Sequence, residues 1–158
     1  IEFEKNPSAD AALNLAIIFN DKDEYSKALT YFDNAIELTE DATQKEKFTE
    51  YAMGTAIKGK NSSKTNEYVS QLLALNPSNE KAILYKARKI TQSGCPTSQF
   101  EKSTLYWAAY DMAVKVSSSA ANQYKARFPT KKELFENGLK EGSSYKTCNG
   151  INTTVRAR

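Results

Sequence analysis

The chain has 158 residues, 40% of them hydrophobic, enough for one compact domain or a short array of repeats. Six Gly and four Pro make it poor in turn formers, which argues against a β-sandwich or barrel and for helices. Histidine is absent, which removes the usual general base, the commonest metal ligand and every Ser–His or Cys–His pair, and no apolar run approaches a membrane span.

The net charge of +3 hides a division. Residues 1–50 carry twelve acidic and five basic side chains, whereas residues 51–158 carry seven and seventeen. Solvated helix faces account for this most simply; a polarised molecule that orients a partner is the sharper reading.

Ile1-Glu2-Phe3 opens without Met or a signal-peptide pattern, so the chain is read as a piece of something longer. Asn6-Pro7-Ser8 returns 70 residues later as Asn76-Pro77-Ser78, close to twice a repeat period of about 34. Each copy precedes a helical pattern that its serine can cap. The first helix is expected over about 9–20, with Ala12, Leu15, Ala16 and Phe19 on one face. After the polar turn Asp21-Lys22-Asp23, a second runs over 25–38, with Tyr25, Ala28, Phe32, Ala35 and Ile36 inward. A turn this short holds two antiparallel helices close, and Ala16 and Ala28 fall where the backbones would nearly touch.

A second, less regular pair spans about 46–79, with helices over roughly 43–58 and 63–75. A further helix is expected over 79–92, with Ile83, Ala87 and Ile90 inward. Gly94-Cys95-Pro96 breaks the chain, and Ser98-Gln99-Phe100-Glu101 is a capping box for a helix over about 99–117 carrying Tyr106, Tyr110 and Ala113. A helix from Ser119 to about Arg127 ends at Pro129. Thr130-Lys131-Lys132-Glu133 caps another, with Leu134, Phe135 and Leu139 inward, stopping near Gly142. Asn149-Gly150, flanked by Tyr145, Thr147, Ile151, Thr153, Thr154 and Val155, predicts a β-hairpin with both turn residues at positive φ. Such a ribbon is marginal alone and needs a helix to pack against.

The spacing resembles the tetratricopeptide repeat. Counting from Ala9, that family's small positions fall on Ala16, Ala28 and Ala35, and its aromatic positions on Phe19, Tyr25 and Phe32. Glu40 stands where the repeat usually ends in proline. In the second pair Met53, Thr65 and Leu72 replace the small residues, and Pro77 takes the terminal position. Residues 95–158 further resemble the C-terminal part of tetratricopeptide-repeat proteins of Bacteroidetes bacteria, through "LYWAAYDMAVKV", "FPTKKELFENGLKEGSSY" and "INTTVRAR". The family's usual Trp in the hairpin region is absent after Cys148. The resemblance implies an all-α helical-hairpin solenoid, with about three helix pairs over 1–117 and capping helices plus a β-hairpin over 118–158. It also implies a periplasmic or cell-envelope setting, with the cytoplasm as the alternative. Cys95 and Cys148 are then either two independent thiols or a disulfide tying the hairpin to the third pair. Their even number, their loop positions and the exported character of the family favour the bridge.

The expected function is a non-catalytic scaffold that binds a protein or peptide, one with an acidic or carboxylate end, on the face formed by the first helix of each pair. By repeat position that face holds Asn14, Ile17, Tyr51, Lys58, Lys81, Tyr85 and Arg88. The carboxylate-clamp pattern of the superfamily is not reproduced, because Leu13 stands where a Lys would be. No catalytic residue, metal site or cofactor is expected: there is no His, no phosphate-type Gly loop and no Cys-x-x-Cys. Two further readings are a self-assembling envelope component and a nucleic-acid-binding module using Lys125, Arg127, Lys131, Lys132, Arg156 and Arg158. The second lacks a recognition motif.

Overall fold

The structure is a computed structural model describing residues 8–158. Asn6 and Pro7 of the first Asn-Pro-Ser copy lie outside the described residues. Among these, eight helices and two short strands follow in order: α1 (Ala9–Asp21), α2 (Tyr25–Leu38), α3 (Ala42–Lys58), α4 (Ser62–Leu75), α5 (Glu80–Thr91), α6 (Gln99–Ala113), α7 (Ser118–Lys125), α8 (Lys131–Glu136), β1 (Ser144–Lys146) and β2 (Asn152–Thr154). The chain divides into two compact units, Ile1–Pro77 and Ser78–Arg158. Within the second unit α6 contacts α5, α7 and β2.

In the first unit α1 packs on α2, α2 on α3 and α3 on α4. Polar side chains cap three of the four helices: Ser8, Asp41 and Asn61 accept hydrogen bonds from Ala11, Gln44 and Lys64 N–H. Ala16, Ala28 and Ala35 are fully buried, as the spacing required, and Phe32 fills the space beside them. Ala12, Ala35 and Phe48 form one cluster that joins α1, α2 and α3. Met53, Thr65 and Leu72 are buried too, so the larger residues of the second pair occupy positions of the same kind.

Two side-chain bonds tie one pair to the next, each across 35 residues. Thr55 donates to Asn20 Oδ1 at 3.0 Å, and the Tyr68 hydroxyl donates to Asp33 Oδ1 at 2.7 Å. The other Asp33 oxygen receives Lys64 Nζ at 2.9 Å. Burial, reinforced by Asp33, holds the Tyr68 phenol far above its ordinary range. Desolvation pulls the Lys64 ammonium down, but hydrogen bonds to Asp33 and Glu67 outweigh it and the net shift is upward.

The second unit is organised around Trp107, which has no exposed surface. Its indole N–H donates to the Arg156 carbonyl at 2.8 Å, and Tyr145 packs edge-on to its ring at 5.4 Å. Phe128, Leu134 and Val155 complete this cluster. Asp111 of α6 holds the chain end from outside: one oxygen pairs with Arg156 at 2.7 Å and the other accepts from the Thr153 hydroxyl at 2.5 Å. The Arg156 guanidinium also lies 5.2 Å from the Tyr110 ring. The β-hairpin therefore packs on a helix, and the Cys95–Cys148 disulfide joins its loop to the α5–α6 connection.

Several local details differ from the expectations. The N-cap of α5 is Asn79 rather than Ser78, accepting from Ala82 N–H at 3.0 Å. α6 stops at Ala113, where the Ala113 carbonyl takes the Ser117 N–H at 2.8 Å and frees Ser117 to cap α7. At α6 the Ser98 half of the capping box forms, but Glu101 reaches one residue further, to the Thr97 N–H at 2.6 Å and hydroxyl at 2.9 Å. The Thr130–Glu133 box is complete. α8 ends at Glu136, before the left-handed Gly138 (φ 66°), so one turn of helix buries Leu134 while its neighbour Phe135 points outward, 85% exposed. In the hairpin only Gly150 has positive φ (83°). A turn closed by Gly150 N–H to the Thr147 carbonyl at 2.8 Å gives a three-residue loop between Thr147 and Ile151.

Two glycines of α3 and its end separate packing from propensity. A methyl on Gly54 meets no atom within 4 Å, whereas one on Gly59 would stand 2.9 Å from Tyr25 Cβ. Gly54→Ala should therefore raise stability by about 0.5–1 kcal/mol, and Gly59→Ala should lower it by about 1–3 kcal/mol, both read from urea unfolding. Thr97 lowers the Glu101 pKa and Thr130 that of Glu133, mainly through their backbone N–H groups. Each box thus contributes stability that is full above the ordinary Glu value of about 4.3 and is lost as pH falls through the lowered folded value. The Glu101→Gln/Glu133→Gln double variant should show a shallower acid limb than wild type between pH 5 and 2; parallel limbs would refute the assignment. Replacing both cysteines by serine opens a link across 53 residues and should cost about 4 kcal/mol on the chain-entropy account. Thiol titration of the unreduced, denatured protein should find no reactive thiol.

Candidate partner-docking face

Helix periodicity leaves α1 with an outward stripe, since Ala12 and Ala16 anchor its other side. Asn14 lies on that stripe with Ile17 (41% exposed) and Ile18 (48%). On α3 the buried residues Phe48, Ala52 and Met53 leave a matching stripe through Lys47, Tyr51, Gly54 and Lys58. Tyr51 is 43% exposed, and Lys47 Nζ sits 5.9 Å from its ring centre.

The Thr55–Asn20 bond and the Ala12–Phe48 cluster fix the two stripes against each other. The residues concerned are about one period apart in sequence. Asn14 and Ile17 are exposed on α1, and Tyr51 and Lys58 on α3. The space beside Gly54 is open. The exposed chemistry is apolar along α1 and aromatic and cationic along α3.

Lys81, Tyr85 and Arg88 are a set on α5, in the second unit. Lys81 and Arg88 are exposed, but Tyr85 is only 8% exposed, with Lys89 Nζ 5.7 Å from its ring. Tyr85 was expected to offer a ring to a partner; here it serves the packing of its own helix. Arg88 acts on Tyr124 of α7, whose phenol pKa is raised chiefly by burial, with Arg88 opposing. Periodicity alone did not pick out Ile18, Lys47 or Gly54. The adjacent Ile17-Ile18 pair and an isolated glycine inside a helical pattern were the available signals.

Among the described residues no three His, Cys, Asp or Glu side chains converge as a metal cage. Among the same residues no helix is long and apolar enough to cross a membrane. No protein-family model matches the chain, no curated protein matches it, and no solved structure does.

Proposed function

We propose that the chain is a non-catalytic protein-interaction module of the tetratricopeptide type. In this reading the α1/α3 face of the first unit grips an extended or helical peptide. The supporting observation is the exposure of Ile17 and Ile18 on α1 and of Tyr51 on α3, the last beside the Lys47 and Lys58 cations. Three large apolar side chains that the fold could have buried are held outward on rigid helices, the usual form of an interface anchor. Asn14 adds a polar contact at the rim. The lysines favour acidic residues or a terminal carboxylate in the partner and set its direction along the face. The 35-residue recurrence of inter-pair bonds, with alanines at the close-approach positions, supports the repeat assignment. The disulfide supports an oxidising compartment, in line with a periplasmic or envelope setting.

Selection of a displayed peptide library on the intact chain, followed by calorimetry of the enriched peptide, tests this. Tyr51→Ala and Ile17→Asp should each weaken that peptide by about tenfold or more, while Lys132→Ala should leave it unchanged. Enrichment indifferent to both face variants would refute the face. Light scattering that shows concentration-dependent growth abolished by Ile17→Asp would assign it to self-assembly instead.

A further inference from the structure

In the second unit the start of α6, the end of α7 and the last residues of the chain surround a cleft of about 220 Å³. Three cations line it, Lys102, Arg127 and Arg158, against the single carboxylate of Glu133. The Oε2 of that carboxylate accepts both the Thr130 N–H and the Thr130 hydroxyl at 2.7 Å, and Arg158 acts on it electrostatically. Lys102 and Arg127 make no ion pair with any described residue. Lys102 also stands close to the N-terminus of α6, where a positive charge opposes the helix dipole and does nothing for the fold. Three cationic side chains gathered around one carboxylate leave the cleft with an excess of positive charge, which favours an anionic ligand.

We propose that this cleft binds a small phosphate monoester. Three cations and one engaged carboxylate leave a surplus of two positive charges, which matches a group carrying about −1.5 to −2 at neutral pH and three acceptor oxygens. A lone carboxylate offers one charge and two oxygens. Arg127 and Arg158 bring guanidinium forks, groups suited to phosphoryl oxygens, and Lys102 adds a point charge. Tyr106 and Phe128 supply an aromatic wall for the organic part. At about 220 Å³ the space is smaller than that of drug-sized sites, and the body of the ester is limited to one small ring. This site is independent of the peptide-docking face of the first unit.

Phenyl phosphate titrated into the full chain, followed by amide chemical shifts, tests the proposal, with phenyl sulfate and benzoate as comparison probes. Shifts should centre on Lys102, Ser103 and Arg127, and phenyl phosphate should bind at least about fivefold tighter than either monoanion. Arg127→Ala, at an exposed position outside the helices, should weaken binding about tenfold, and Lys102→Ala should do likewise, while Lys140→Ala should not. Equal affinity for the three probes, shifts elsewhere, no saturable binding, or indifference to Arg127→Ala would each overturn it.

Discussion

A turn of three residues between two helices leaves their axes little room to diverge, and the side chains where they meet must be small. In the first unit that constraint falls on Ala12, Ala16, Ala28, Ala35, Ala52 and Ala56, all without exposed surface. A buried methyl contributes little transfer free energy, so the alanines set distance rather than supply most of the stability. The larger burial comes from Leu29, Phe32, Phe48, Tyr68 and Leu72 beside them. Interaxial distance and core volume are thus fixed by different residues. The outward faces of α1 and α3 are left carrying the partly exposed apolar groups Ile17, Ile18 and Tyr51.

The second unit meets a different difficulty. Two strands of three residues each cannot hold together in water, and the chain end would fray unless fastened. Trp107 receives it with an aromatic surface and one buried hydrogen bond, Asp111 grips it with an ion pair and a hydroxyl, and the disulfide fastens the hairpin loop. Two of these ties meet at Arg156 and the third lies in the hairpin loop, so loss of one leaves the hairpin partly held. Among them the disulfide is the one that depends on compartment: it persists where the surroundings are oxidising.

Helix positions were legible because the sequence repeats its signals. Alanine spacing, capping residues and short polar turns coincide, and α2 is found over the very residues expected, Tyr25–Leu38. What stayed illegible was set by local backbone geometry and by burial. Phe135 has the spacing of a buried residue, yet Gly138 ends α8 before a second inward turn can form. Asn149-Gly150 has the composition of a two-residue turn, but Thr147 binds the Asn149 side chain and the Ile151 backbone with its hydroxyl and stabilises a wider loop. Tyr85 shows how a repeat position misleads about a site: periodicity gives the direction a side chain leaves its helix, while burial depends on what else packs there. On α1 and α3, Ile17 and Tyr51 are partly exposed.

The charge division of the sequence becomes physical once the units are known. Residues 1–77 hold thirteen acidic and eight basic side chains, residues 78–158 six and fourteen. In the second unit four of the six carboxylates are hydrogen-bonded within the fold: Glu101 and Glu133 cap helices, Asp111 holds Arg156 and Thr153, and Glu141 accepts the Ala157 N–H. The acidic groups are therefore largely consumed by architecture, while Lys102 and Arg127 keep their charge for what lies outside the molecule. A helix cap needs a carboxylate close to backbone N–H groups, and a carboxylate so held is a poor counter-ion for anything else. The positive field of this unit follows from where its acids had to be placed as much as from the number of its bases. An anionic ligand is the kind of partner that would complete it.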